Sequence, residues 1–574
     1  MQRWTGDETG ATMSKVANWE SLRHGVFDGS SFAGLSWEVV LLERRTMSCG
    51  FIELAIYLER RHMDNTIVIN GKFIKRIKAV SEPVEPFELS EAEKKRKELT
   101  ERCDKAGILY SGEVQIDQDS RLLDPPDAVK EHLGEKLVLA KAPPLVEFGS
   151  IPYDYRYFPE ERIRPDNANW SSWSQGTYDT ESKRFFGAIG DHGCKNAHLH
   201  LVEYDTEKKK IKALPEVNRI LGRKCGQFGD GKIHGFPDMY QPFYHDTPHI
   251  WFCTYWCRYP EPLEQDYATG YRGGHILSYN PLTEEFYDYG VPVERSSWPL
   301  HRLDRKRGLL YGLGMFTEFL CWDMNSLEPR WAGYLPPCGR ESDPFAIAPG
   351  MKWFNRCLLV DEHTGFVYSN NLLSKNLNLI RYNPHTNRFT ELDVPMNPLT
   401  PLRSHTRERD SNGLFWGMSL KGDIYSFQPD TLKLEVHGRP WPLEDCFSVT
   451  IDSSPGGRYL YFGIAAHGRG YPYGTPILQY DKATKKCKIL AFLFPYYYEK
   501  YGYIAGGTYS FKLNDSGDKL FSIWNGDFTD ADVLFEKYEA YDPVASNWSL
   551  PHPHDAFGHC AVTVINIPAS EREE

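Results

Sequence analysis

Five of the 19 histidines in this chain sit in short, similar settings. His234 ends Lys232-Ile233-His234, His301 lies in Leu300-His301-Arg302 and His405 in Ser404-His405-Thr406. His192 follows Gly190-Asp191, and His467 stands between Ala466 and Gly468. Arg272, Arg302, Arg403, Arg407 and Arg469 lie beside them, with Tyr271 and Tyr471. An imidazole with a pKa near ~6.5 accepts or gives a proton at neutral pH. A guanidinium grips a carboxylate through two parallel N–H bonds, tyrosine can move protons, and aromatic rings stack on sugar faces. The set suits an acidic sugar. It suits metal-dependent hydrolysis less well, because no carboxylate-rich cluster accompanies the histidines. Any one of these histidines alone reads more readily as a hydrogen-bonded structural residue. Only their convergence would make a pocket, and convergence of such distant positions needs a particular fold.

The chain carries one recurring phrase: an aromatic residue, usually Asp or Asn, then often Pro-x-Thr. It appears at Tyr204-Asp205-Thr206, Tyr279-Asn280-Pro281, Trp322-Asp323, Tyr382-Asn383-Pro384, Phe427 with Pro429-Asp430-Thr431, Tyr480-Asp481 and Tyr541-Asp542-Pro543. The intervals are 75, 43, 60, 45, 53 and 61 residues. Physically the phrase is a hairpin turn. The aromatic suits a pleated surface, Asp or Asn bonds its own backbone, and Pro pre-sets φ. A strand follows each turn and a Gly-punctuated apolar strand precedes it, as at Arg184–Ile189 and Tyr459–Ile464. Four short strands per repeat of roughly 45 residues is the period of propeller blades. The expectation is therefore all-β: a seven-bladed β-propeller over residues 146–574. A sandwich or a pair of barrels would not produce seven copies of one turn.

Two insertions, near Asn218–Asp230 and Arg258–Gly274, stretch the first interval. Residues 1–145 read as a partly helical N-terminal extension, with Ser90 and Glu93 forming a capping box before a charged helix. Residues 1–62 match nothing that follows and read as an over-extended start. The Gly-rich run Gly226–Gly235 lacks the strand-to-helix setting of a phosphate loop and reads as an inter-blade turn. The final segment, Cys560–Ile567, alternates like a strand and is expected to help close the ring.

A net charge of −12 disfavours nucleic acid as a partner. No apolar run approaches the ~20 residues that span a bilayer, and no export signal is recognisable, so a cytoplasmic location without membrane attachment is expected. The 12 cysteines are spread out. Cys253 and Cys257 form the one close pair and are expected to be buried free thiols, not metal ligands. No cofactor is required by this reading, although a structural divalent cation in the channel is compatible with it.

In a propeller, the loops entering each innermost strand share one face with the loops between second and third strands. His234, His301 and His405 are expected on innermost strands, and His192 and His467 on the second-to-third loops, so all five would open on one face.

Several longer phrases follow one another: Asn167–Gln175, Gly190-Asp191-His192, Glu203-Tyr204-Asp205, Gly231–His234, Gly270–His275 and Tyr279-Asn280-Pro281. Over roughly residues 150–568 the chain resembles the propeller polysaccharide lyases of the ulvan lyase type and their relatives acting on rhamnose–glucuronate linkages. That resemblance implies β-elimination at a uronic acid within an anionic oligo- or polysaccharide. It implies proton transfer by His192 and His234, Tyr271 as proton donor or second base, and Arg302 on the carboxylate, with Arg272 competing for that role. Arg272, His301, Arg403, His405 and His467 would bind substrate. Two alternatives remain at this point: a glycoside hydrolase on the same scaffold, and a non-catalytic propeller that binds a glycan or a protein.

Overall fold

The structure is a computed structural model. It describes residues 66–79, 91–152, 170–191, 198–223, 227–256, 262–316, 318–335, 356–371, 378–395, 402–419, 421–443, 448–530 and 556–573, and the backbone of Thr5–Gly6, Trp37–Arg45 and Ile52–Arg60. Among these residues seven antiparallel sheets follow one another as the blades of a β-propeller.

The third blade shows the pattern most plainly. Leu300–Asp304 is innermost, followed outward by Leu309–Leu313, Glu318–Asp323 and Glu328–Tyr334. The two middle strands are buried throughout, whereas the outermost is largely exposed. Alternation along a strand sends successive side chains to opposite faces, and each face meets a different neighbour. Leu309, Tyr311 and Leu313 pack against Leu358, Val360 and Val367 of the fourth blade. Leu310 and Leu320 turn the other way, onto Trp251 and Ile276 of the second. The same division places Phe185 and Ile189 against the seventh blade and Phe186 and Ala188 against the second. Each such fully buried large side chain contributes about 1.5–3 kcal/mol.

The repeated phrase is a hairpin joining third and fourth strands in six blades. In the first blade Asp205 Oδ1 accepts the backbone N–H groups of Glu207 and Lys208. Asn280, Asp323 and Asp481 do the same two and three residues on. Four positions after each of the six turn residues the backbone enters the left-handed region, at Lys209, Glu284, Leu327, Asn387, Leu432 and Lys485, with φ between 52° and 61°. Side-chain bonds to the turn N–H groups help offset that strain. The seventh copy, Tyr541-Asp542-Pro543, lies outside the described residues. In chain order it falls between the second and third strands of its blade, not the third and fourth.

That difference reflects how the ring closes. The last blade is built from Ile504–Thr508 with Lys512–Leu513, then Lys519–Asp527 and Ala561–Asn566. Its fourth strand is Leu145–Ser150, from the other end of the chain, paired in register from Asn566↔Leu145 to Ala561↔Ser150. Gln115–Asp117 adds one strand beyond it. Upstream, Lys72–Lys78 extends the second blade by pairing with Glu285–Asp288, and Thr66–Ile69 pairs with it in turn. The helix Glu91–Cys103 forms as its charge pattern predicts, while Ser90 is outside the described residues. The insertions hold two short helices, Val217–Ile220 and Glu264–Ala268. Cys253 is a buried free thiol, and Cys257 is not described. Among the described residues no helix is long and apolar enough to cross a membrane.

Candidate functional site

His234 lies two residues after a single backbone bridge between Lys232 and Tyr255. The innermost strand of its blade is Asp238–Tyr240. It therefore sits on the segment entering that strand and not on the strand itself, a correction to the expected placement. The segment is nonetheless fixed. Lys232 and Tyr255 exchange backbone hydrogen bonds, and Gly235 presses against the ring of His301 so closely that a Cβ would collide with it.

Around His234 the propeller brings together side chains from several blades. Trp173, on the inner edge of the first blade, stacks on the imidazole with ring centres 5.5 Å apart. Tyr509, from the seventh, meets it edge-on at 5.5 Å and lies 4.5 Å from Trp173. His467, on the second-to-third loop of the sixth blade, stands edge-on to Trp173 at 5.4 Å. Lys232 Nζ sits 3.7 Å over the Trp173 ring, a cation–π contact. Arg403, on the fifth blade, lies 5.8 Å over Tyr509 and hydrogen-bonds it. Arg356, entering the fourth blade, brings Nη1 to 2.7 Å from His234 Nδ1 and into contact with Nε2.

The electrostatics follow from this geometry. Burial, then Arg356, Lys232 and Arg403, hold the His234 pKa well below its ordinary value. Burial, then Arg469, Lys232, Arg403 and Arg356, do the same to His467. Burial lowers the Arg403 pKa too, against the pull of Tyr509. Both histidines are neutral at pH 7 in a positive field.

Further along the channel, Arg302 lies flat on Phe236, 3.6 Å from the ring centre, and donates to the His405 carbonyl at 3.3 Å. His405 is buried, with Nδ1 2.9 Å from the Thr406 carbonyl, and stacks on Phe236. Arg407 is ion-paired with Asp238. His301 and His405 do lie on innermost strands, as expected. His301 is fully buried, its ring nitrogens have no hydrogen-bond partner among the described residues, and burial followed by Arg302 lowers its pKa to about 3.

Two expected site residues are placed elsewhere. The Tyr271 hydroxyl donates to Asp230 Oδ1 at 2.8 Å, and the same carboxylate takes Arg223 at 2.9 Å and Thr254 at 2.8 Å. Tyr271 is thus tied into a buried network anchoring the insertion. Arg272 points outward, 66 % exposed, and pairs with Glu294 at 2.8 Å; it competes with nothing in the channel. Arg469 and Tyr471 are buried. His192 lies outside the described residues.

Sequence reasoning brought His234, Arg403 and His467 to one place but missed Trp173, Lys232, Tyr509 and Arg356. Trp173 and Lys232 stood inside quoted phrases, next to the residues that were chosen. Arg356 and Tyr509 carry no local signal. Among the described residues no group of three or more His, Cys, Asp or Glu is placed to hold a metal ion.

No family model matches the chain, and no curated protein matches it. Among solved structures, the extracellular domain of a one-component system from B. thetaiotaomicron is similar at 12 % identity with a TM-score of 0.36. The alignment covers 64 % of this chain, which spans 41 % of that one. The likeness to propeller lyases therefore rests on the quoted phrases.

Proposed function

We propose that this propeller binds an acidic glycan at the His234 site and cleaves it by β-elimination next to a uronic acid. The observation that supports this most is the character of the site: two histidines held neutral first by burial and then by the charges of Lys232, Arg356, Arg403 and Arg469, with two aromatic rings beside them. The reaction needs a base for the C5 proton, an acid for the departing C4 oxygen, and positive charge for the enolate that develops on the carboxylate.

The carboxylate of the sugar would draw Arg356, Lys232 and Arg403. A carboxylate is a better acceptor for a guanidinium than a neutral imidazole is. Ligand entry would therefore move Arg356 off the ring nitrogens of His234 and free them to take the C5 proton. Tyr509, hydrogen-bonded to Arg403, is the donor in this reading and takes the role expected of Tyr271. His192 remains the second proton-transfer candidate. The C4–O bond breaks as the C4–C5 double bond forms, leaving an unsaturated uronate and a free hydroxyl.

Most glycoside hydrolases use two carboxylates flanking the bond, and the described neighbours of His234 are cations and aromatics. A non-catalytic binder would use the same contacts without forming product. The test is a panel of uronic-acid polysaccharides and oligosaccharides followed by the ultraviolet absorbance of the unsaturated product. Release of reducing ends without that absorbance would establish hydrolysis, and saturable binding without either would establish a binding protein.

A further inference from the structure

Four chain segments that build the His234 site run on into a second chamber. Two to four residues after Trp173, His234, Arg403 and Tyr509 come Gln175, Phe236 and Asp238, Arg407, and Phe511 with Lys512, all of which line it. At the rise of extended chain, the chamber lies roughly 7–13 Å along the channel. It shares no lining residue with the group around His234.

Its charges do not balance. Arg407 is ion-paired with Asp238, and Lys512 pairs with Asp452 at 3.0 Å. That leaves Arg302, which lines the same chamber and is 3 % exposed. Its guanidinium lies on Phe236 and, among the described residues, makes two long bonds, to the carbonyls of His405 at 3.3 Å and Arg407 at 3.5 Å. Among the described residues Nε has no hydrogen-bond partner and no carboxylate stands within ion-pair distance. A buried charge without a counter-charge is costly and is ordinarily paired. Burial and the neighbouring Arg407, against the pull of Asp238 beyond contact distance, lower its pKa to about 9, so it is still charged at pH 7.

We propose that this chamber is an oxyanion subsite, in which Arg302 takes one carboxylate or sulfate group with Phe236 as its floor. The Arg407–Asp238 and Lys512–Asp452 pairs form its rim. The same chemistry could come from a free inorganic anion or from an acidic group on a longer ligand. The subsite does not depend on the elimination proposed at His234.

The test is calorimetric titration of the full chain with sodium sulfate and, separately, with glucuronate, at ionic strength held constant with choline chloride. Saturable binding is expected in the native protein. Arg302→Gln should weaken it roughly tenfold to a hundredfold, the worth of a charge-assisted contact. Arg302→Lys keeps the buried charge but loses the planar fork, and should also weaken binding; it carries the test if the glutamine variant does not fold. Glucuronate displacing sulfate supports the subsite and assigns it to an acidic sugar. Sulfate binding without glucuronate binding supports it and assigns it to a free anion. Binding unchanged in both Arg302 variants, or no saturable binding of either probe, overturns it. Binding lost in the Arg302 variants but kept in Arg356→Met belongs to this subsite, and the reverse pattern belongs to the His234 site, so the two proposals fail separately.

Discussion

Arg356 Nη1 lies 2.7 Å from His234 Nδ1, although 122 positions separate the two residues in the chain. The guanidinium can only donate, so the imidazole must present a lone pair and stay neutral. Burial first, and then this contact, keep His234 in the base form, and the contact also covers its nitrogens until something attracts Arg356 away.

His234→Ala should abolish elimination with the fold intact. General acid–base groups contribute ~10²–10⁴-fold, a loss easily read in initial rates. Melting temperature and rate on one preparation separate a chemical role from a structural one: full turnover in a stable variant would remove His234 from the mechanism.

Arg356→Met should raise the His234 pKa towards ordinary values, because one of the two largest causes of its depression is gone, though burial remains. It should also weaken uronate binding. Imidazole titration by NMR reads the first effect and calorimetry the second; an unmoved His234 titration would refute the coupling.

Tyr271→Phe should cost stability and spare turnover. The lost bond is a hydroxyl donating to a buried carboxylate, for which about 1.5–3 kcal/mol is typical. Denaturant melts and initial rates decide. A large loss of rate per folded molecule would restore Tyr271 to the reaction.

Glu147→Gln should loosen ring closure. Glu147 is buried on the strand Leu145–Ser150, accepts the Tyr204 hydroxyl of the first blade, and pairs with Lys209 at 2.7 Å. The expected cost is roughly 2 kcal/mol, with hydrogen exchange rising first along Ala561–Asn566. Uniform protection there would argue that closure does not depend on this link.

Acid should destabilise the second blade through a stacked pair of histidines. His245 and His249 lie 3.7 Å apart between ring centres. Burial lowers the first to about 3, and burial with the charge of its neighbour lowers the second to about 2. The unfolded chain takes up these protons below about pH 6.5 while the folded one refuses them, so their contribution is intact above that pH and lost as pH falls towards 3. Each group adds a slope of about 1.4 kcal/mol per pH unit. Urea midpoints against pH should show a shallower slope in His249→Gln, by roughly one proton.

Most of the propeller was legible in the chain itself, because a blade is a local object. Its turns depend on residues such as Asp205 and Asn280 bonding amides two and three positions away, and its packing depends on a period of two. These causes act within one blade, so they leave a repeating mark. What the chain did not disclose is what joins distant blades. The fourth strand of the last blade comes from Leu145–Ser150, because antiparallel pairing rewards any matching edge regardless of its place in sequence. Tyr271 and Arg272 are adjacent, yet one is locked inside on Asp230 and the other is paired outside with Glu294. Arg356 and Tyr509 reach His234 only because seven inter-blade faces bend the sheets into a ring. The residue types for acid–base chemistry on an anion belong to the sequence alone; which of them meet was decided by ring closure, since contact across the channel is set by blade packing and not by chain spacing.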